Sequence, residues 1–277
     1  MRTSVIAFLI PLLFVTGVTA REHVSLNSES VDLSVSVAES GYDRTVLEYR
    51  LGGFSLDTVD IEGKTYSTVS LAGESRPLER GLPDLPNVCR SIAVPGDAEM
   101  VVRVLSSRYV EYSDIDIAPS KGSIPRDVDP ASVSYEFDPF YSRDRWYPEA
   151  IAHAREPYIL RDVRGLTVVL NPFRYNPASR TLRVYDRVVL EVARVGPGKV
   201  NVLDSAPPAL QSDFRLIYEE HFLNYRDGFD ARYSPVGEVG SMLVIAYDDF
   251  VEAMQPLVDW KNQMGVPCEM VTLSEVG

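Results

Sequence analysis

The stretch SMLVIAYDDFVEAMQPLVDWKNQMGVPCEMVTLSEVG, residues 241–277, decides how the rest of the chain is read. It opens on an unbroken apolar run, Met242-Leu243-Val244-Ile245-Ala246, the pattern of a strand buried on both faces in a parallel sheet. Asp248 and Asp249 follow and are expected to cap a helix N-terminus. Phe250, Met254, Leu257, Val258, Lys261 and Met264 recur three or four residues apart, so they share one helical face. Gly265 is placed to end that helix, and residues 266–273 read as a second strand. The whole is one βαβ unit. A lone βαβ unit leaves its sheet uncovered, so the sequence is expected to end inside an α/β domain.

What precedes this unit has a different character. From Val31 onward apolar residues alternate with polar ones, as in Val31, Leu33, Val35 and Val37, the period of a half-buried strand. Further strands are expected over 46–51, 54–61, 65–71, 89–95, 100–106, 110–117, 158–160, 166–170 and 181–195. Glu62-Gly63 suits a hairpin turn, and Gly52-Gly53 a break. Pro83 and Pro86 each deny a ladder its N–H donor, so Gly81-Leu82-Pro83-Asp84-Leu85-Pro86 is expected to cross as an extended loop. Repeated strands without strong helices between them predict an antiparallel β-sandwich or barrel. The fold class is therefore mainly β, with the first βαβ unit of an incomplete α/β domain behind it.

Residues 118–150 interrupt the strands. Pro119, Pro125, Pro130, Pro139 and Pro148 alternate there with Phe137, Phe140, Tyr141, Trp146 and Tyr147. Such a loop is held down by aromatic contacts, either as plain packing or as a surface that covers a partner's cleft. Gly196-Pro197-Gly198 and Pro207-Pro208 read as linker. Within it Ser212 can cap a helix running to about Tyr225, with Phe214, Ile217, Tyr218, His221, Phe222 and Tyr225 on its apolar face. His221 is accordingly expected to be a packed histidine. The expected division is a signal at 1–20, a β-rich domain at 21–196, a linker with a helix at 197–240, and the α/β entry at 241–277.

Composition sets the address. The formal net charge of −13 argues against a nucleic-acid partner, because phosphates repel an acidic surface. Arg2, an apolar core over 5–15 broken only by Pro11, and the small-residue end Val18-Thr19-Ala20 make a secretory signal, cleaved between Ala20 and Arg21. The expectation is a secreted or cell-surface protein with no membrane-spanning segment once the signal is removed. Two cysteines, Cys89 and Cys268, do not make a disulfide framework. Cys268, between Val266 and Met270 on a strand, is expected to be a buried free thiol.

Several of these residues carry a resemblance. Val258-Asp259-Trp260-Lys261-Asn262-Gln263-Met264-Gly265, preceded by an apolar strand and Asp248-Asp249-Phe250, resembles the catalytic-domain entry of gingipain-type cysteine peptidases, family C25. Upstream, Gly81, Pro83, Leu85-Pro86, Ile92-Ala93-Val94-Pro95, Leu105-Ser106-Ser107, Pro172-Phe173-Arg174-Tyr175-Asn176-Pro177 and Leu182-Arg183-Val184-Tyr185 resemble the pro-peptide of the same family. The resemblance implies the export signal, latency-keeping pro-domain and domain entry of a secreted cysteine endopeptidase. It implies the chain's own catalytic domain as intramolecular partner and proteins as substrates. In the family the nucleophilic cysteine and its histidine lie further downstream, so no catalytic residue is assigned within this sequence. Cys89, Cys268, His23, His153 and His221 match no such motif, and residues 1–277 alone are expected to be inactive.

The resemblance brings calcium only to the catalytic domain. Asp248 and Asp249 are too few for a hard-cation shell, so no metal or cofactor is assigned here. Arg232-Tyr233-Ser234-Pro235-Val236 resembles the maturation boundary of the Arg-specific members, which places pro-peptide cleavage between Arg232 and Tyr233. An alternative function from another class is a secreted non-catalytic β-sandwich binding or adhesion module with 135–147 as its contact surface. A third is a homologue without the catalytic half that acts as a free inhibitor.

Overall fold

The computed structural model describes residues 22–26, 32–203, 212–225 and 240–276. In chain order the strands are β1 (Glu22–Ser25), β2 (Leu33–Ser40), β3 (Arg44–Leu51), β4 (Gly53–Ile61), β5 (Lys64–Ser70), β6 (Val88–Ala93), β7 (Ala98–Tyr112), β8 (Ala152–Ala154), β9 (Tyr158–Leu160), β10 (Val163–Leu170), β11 (Phe173–Asn176) and β12 (Thr181–Pro197). Then come α1 (Ser212–His221), β13 (Met242–Ala246), α2 (Val251–Gln263), β14 (Cys268–Thr272) and the short α3 (Leu273–Val276). Two compact units form: residues 1–204 with 222–229, and residues 205–221 with 230–277.

The first unit is a β-sandwich of three antiparallel sheets sharing one core. One sheet runs β11-β12-β3-β2, with β7 on the other side of β12; the second runs β6-β10-β8, with β9 also on β10; the third runs β1-β4-β5. Alternation explains the layering. On β12 the even residues Leu182, Val184, Val188, Leu190 and Val192 are all at 1 % exposure or less, while Arg183, Arg187 and Glu191 point the other way. Leu47, Tyr49 and Leu51 of β3 join them, and Val88, Ile92, Leu166, Val168 and Leu170 of the second sheet belong to the same core cluster. Phe54 packs edge-on against Phe173 at 5.2 Å between ring centroids, tying in the third sheet.

The outer face of the large sheet is an ion-pair ladder across four strands. Arg44 of β3 pairs with Glu39 of β2 and, at 2.6 Å, with Glu191 of β12, which also meets Arg103 of β7 at 3.5 Å. Beside it run Arg187–Glu48 at 2.6 Å, Arg108–Asp186 at 2.7 Å and Arg183–Glu111 at 2.7 Å. Hydrogen bonds from Arg187 hold the Glu48 carboxyl below its ordinary range, and those from Arg44 do the same for Glu191. Cross-strand opposite charges of this kind fix register as well as contributing energy.

Most sequence-predicted strands form within a residue or two. The Glu62-Gly63 hairpin closes Ile61 on Lys64 with φ of 52° and 81°, the left-handed pair a tight hairpin needs. The strands expected over 100–106 and 110–117 are one strand, β7. Ser106-Ser107-Arg108 contains no turn former, and the break in alternation at Leu105 is a bulge opposite Val189 and Leu190. Phe173-Arg174-Tyr175-Asn176 pairs with β12 as β11, although its flanking prolines read as loop.

The second unit contains the expected βαβ element. β13 and β14 pair in parallel from Met242↔Cys268 to Ala246↔Thr272, and Val244, Val258 and Cys268 form a small core with Met242, Met254 and Met270 against it. Gly265 ends α2 with φ of 81°, as a left-handed C-terminal cap. Three expectations fail here. Leu243 and Ile245 are exposed at 58 % and 55 %, because α2 covers only one face of β13. Asp248 and Asp249 do not cap α2: the cap position is Phe250, with no side-chain bond, and Asp248 instead accepts from the Ser274 hydroxyl at 3.1 Å. The linker helix stops at His221 rather than Tyr225, and His221 is exposed rather than packed.

Candidate inhibitory surface

The only long excursion from the strands, among the described residues, leaves β7 after Tyr112 and returns at β8. Its base is knitted to the Gly81-Leu82-Pro83-Asp84 crossing loop. The Asp84 N–H donates to Ala118 O at 3.0 Å, Ser120 N–H to Leu82 O at 2.8 Å, Gly81 N–H to Ser120 O at 2.9 Å, and Asp138 N–H to Gly81 O at 3.1 Å. The prolines that keep the crossing loop out of a sheet leave these groups free to hold the excursion. Gly81 is required at this junction: its φ is 85°, and a Cβ there would sit 3.2 Å from the Asp138 nitrogen.

Asp84 anchors the crossing loop. One carboxyl oxygen pairs with Arg76, which also donates to Val69 O at 2.6 Å; the other is buried without a partner. Burial outweighs the Arg76 charge and pushes the Asp84 carboxyl up from its ordinary value.

The aromatic residues are spent on holding the arm down. Phe137 packs edge-on to Tyr141 at 5.0 Å and tilts against Tyr66 at 5.3 Å; Phe140 meets Tyr147 at 5.7 Å. The Tyr141 hydroxyl donates to Ile117 O at 2.9 Å, and burial raises the ionisation of this phenol and of Tyr147. Tyr175 beneath them is pushed up to about 12 for the same reason. Tyr147 and Tyr175 exchange backbone hydrogen bonds at 2.9 and 2.7 Å. Trp146 lies 4.1 Å from the Arg183 guanidinium, whose other neighbour is the Tyr109 ring at 4.3 Å.

Beyond these staples the arm is open. Every residue of 125–132 is exposed. The Val128 N–H donates to Pro125 O at 3.1 Å, so Arg126 and Asp127 occupy the corner of a turn. Lys121 pins the flank, donating to Pro130 O at 2.8 Å with its ammonium 4.4 Å from the Tyr135 ring. Asp129 and Asp138 cap the short 3-10 turns Pro130–Ser132 and Pro139–Ser142. The result is a projecting tip on a fixed base, the geometry of an insert that enters a concave partner without ordering cost at its base.

Residues singled out in the sequence are not gathered into a catalytic centre. Cys89 is half-buried on β6, with Asn87 Oδ1 and Arg155 Nη2 each 3.8 Å from its sulfur. Cys268 is buried in the second unit and free, as expected of it. His23 lies 3.5 Å from Asp32 on the surface, and His153 pairs on β8 with Val169. Ala20, Arg21, Arg232 and Tyr233 lie outside the described residues. The aromatic run announced the arm in the sequence; its tip carried no signal beyond polarity and Pro125.

Known proteins match along this same region. Residues 27–227 match the family model Propeptide_C25. Gingipain R2 of Porphyromonas gingivalis is 38 % identical over 200 residues, 72 % of this chain and 27 % of that protein. Lys-gingipain of the same organism is 29 % identical over 218 residues, 76 % of this chain and 12 % of that protein. The chain thus spans about a quarter or less of the curated relatives it matches. Among solved structures, the complex of Porphyromonas gingivalis RgpB pro- and mature domains aligns with a TM-score of 0.65 and 32 % identity, covering 70 % of this chain and 97 % of that one. A structure of gingipain K bearing on zymogenic latency shares the fold at a TM-score of 0.54. A family model matched over most of the length, and relatives well above 30 % identity, place this chain in the C25 propeptide family, the pro-segments of gingipain-type cysteine peptidases.

Proposed function

We propose that this chain is the export and latency region of a secreted cysteine endopeptidase precursor, with the catalytic thiol and its base contributed by residues outside this sequence. The observation that carries the reading is the match of the sandwich, end to end, to a pro-domain solved in complex with its mature domain. The arm supplies a physical means: an exposed tip over 125–132 on a stapled base can fill a cleft while its own folding energy holds it in shape. The occupied ring faces of Trp146 and Tyr147 argue against a sugar-binding platform. Export would follow cleavage between Ala20 and Arg21, and no helix among the described residues is long and apolar enough to cross a membrane. Calcium, if the precursor uses it, would bind within the catalytic domain.

Replacing residues 125–129 by two glycines in the full-length precursor tests the arm. The variant should fold and lose latency before any cut, with the uncut precursor showing at least tenfold more peptidase activity. Unchanged latency would exclude the tip as the blocking element. Maturation is proposed between Arg232 and Tyr233, where arginine's fixed charge and planar fork suit an acidic specificity pocket. N-terminal sequencing of the processed enzyme should begin at Tyr233; a start within 196–210 rejects that bond.

A further inference from the structure

The chain leaves the sandwich twice. It departs after Leu203, and residues 222–225 then return to it beyond α1. The place they reach is the edge of β6, which pairs with β10 on one side only. Phe222 bridges Ser91 in parallel, and the Leu223 N–H donates to Ser91 O at 3.0 Å. Asn224 continues the pairing with its side chain. Its Oδ1 accepts from the Ala93 N–H at 2.7 Å, and its Nδ2 donates to Ala93 O at 2.9 Å and to the Thr45 hydroxyl at 3.4 Å. A primary amide has the donor and acceptor of a peptide group, so Asn224 completes the strand edge as one more residue of backbone would.

The flanking rings are seated as deeply. Phe222, Asn224 and Tyr225 are each 1 % exposed. Phe222 stacks on Tyr158 at 6.3 Å and 18°. Gly165 makes room for both rings: a Cβ there would lie 2.5 Å from Tyr158 and 2.7 Å from Phe222. A glycine in the middle of β10, flanked by fully buried neighbours, is thereby explained by close approach of this segment.

We propose that the β6 edge is a strand-docking groove built for the Phe-Leu-Asn-Tyr segment at 222–225, and that this latch fixes where the connection to the following unit leaves the pro-domain. This rests on the pro-domain reading for its purpose but not for its existence. With the latch closed the connection is residues 226–239; with it open the connection begins at 204. Effective concentration falls roughly as the −3/2 power of tether length, so closure raises it on the order of fourfold. The junction at 232–233 then departs from a fixed point on the inhibitor.

The test begins with a specific protease site inserted within 205–210 of the 277-residue chain, cut after folding. The two fragments should co-elute on size exclusion at micromolar concentration, and should separate when Phe222→Ala and Asn224→Ala are combined. Separation of the wild-type fragments, or co-elution of the double variant, would overturn the latch. Hydrogen exchange checks the variant: β6 amides should lose protection while the β3–β12 pair keeps it. If the β3–β12 pair loses protection too, Leu223→Pro, which removes only the N–H to Ser91, takes the double variant's place. In the full-length precursor the latch variant should leak on the order of fourfold more activity before cleavage; a leak equal to wild type overturns the tether role. Failure of the pro-domain reading would look different, with an active precursor whose cut fragments still co-elute.

Discussion

Arg164 shows what a single residue contributes and what a sequence conceals. It sits in β10 among valines and is 2 % exposed, yet no carboxylate pairs with it. Its guanidinium instead donates to four carbonyls: Pro95 at 3.0 Å, Ala98 at 2.7 Å, Val200 at 2.9 Å and Asn201 at 2.8 Å. Desolvation lowers its ionisation from the ordinary arginine value, but a guanidinium keeps its charge and its planar fork. It therefore ties the β6–β7 turn to the segment after β12. Arg164→Met keeps the packing volume and orphans these acceptors, which should cost about 2–4 kcal/mol in denaturant unfolding. A loss within ordinary surface scatter, about 0.5 kcal/mol, would mean that water replaces the guanidinium. Nothing in Val163-Arg164-Gly165 announces this, because the acceptors come from three separate segments. Gly63 and Gly265 were legible for the opposite reason: their demand is local, a positive φ at a turn or a helix end.

At the scale of elements, legibility follows how local the cause is. Period-two alternation gave β2, β3, β10 and β12 directly, because each buries one face or both against the core. The join of two expected strands into β7 depended on a bulge set by β12, and the identity of β11 on finding a partner across Ala178-Ser179. The end of α1 at His221 depended on the β6 edge waiting for Phe222 and Asn224. The ladder on the large sheet makes an element-scale prediction. Glu48 and Glu191 are held below their ordinary values by arginines, so their folded-state values lie under the unfolded ones. Their stabilisation is fully present above about pH 4.5 and disappears as pH falls through the depressed values. Unfolding midpoints of wild type and Glu191→Gln should therefore differ at pH 7 and converge as the medium is acidified through that range. A gap that stays constant with pH would show that Glu191 acts by packing alone.

The molecule as a whole divides a sandwich that carries its own core from a βαβ unit whose strands are covered on one side. That contrast was readable from residues 241–277, because a parallel unit advertises the layers it needs. Which surface of the sandwich matters was only half readable: the aromatic run marked the arm at 118–150, but whether its rings faced outward or inward depended on Tyr66, Arg183 and Tyr175, all distant in sequence. The central claim is that the sandwich restrains a peptidase joined to its C-terminal side. The most direct measurement is peptidase activity of the full-length product with residues 21–232 attached, after their removal, and after the removed piece is added back. The account predicts silence, then activity, then silence again in proportion to the amount returned. Equal activity in all three states would contradict it.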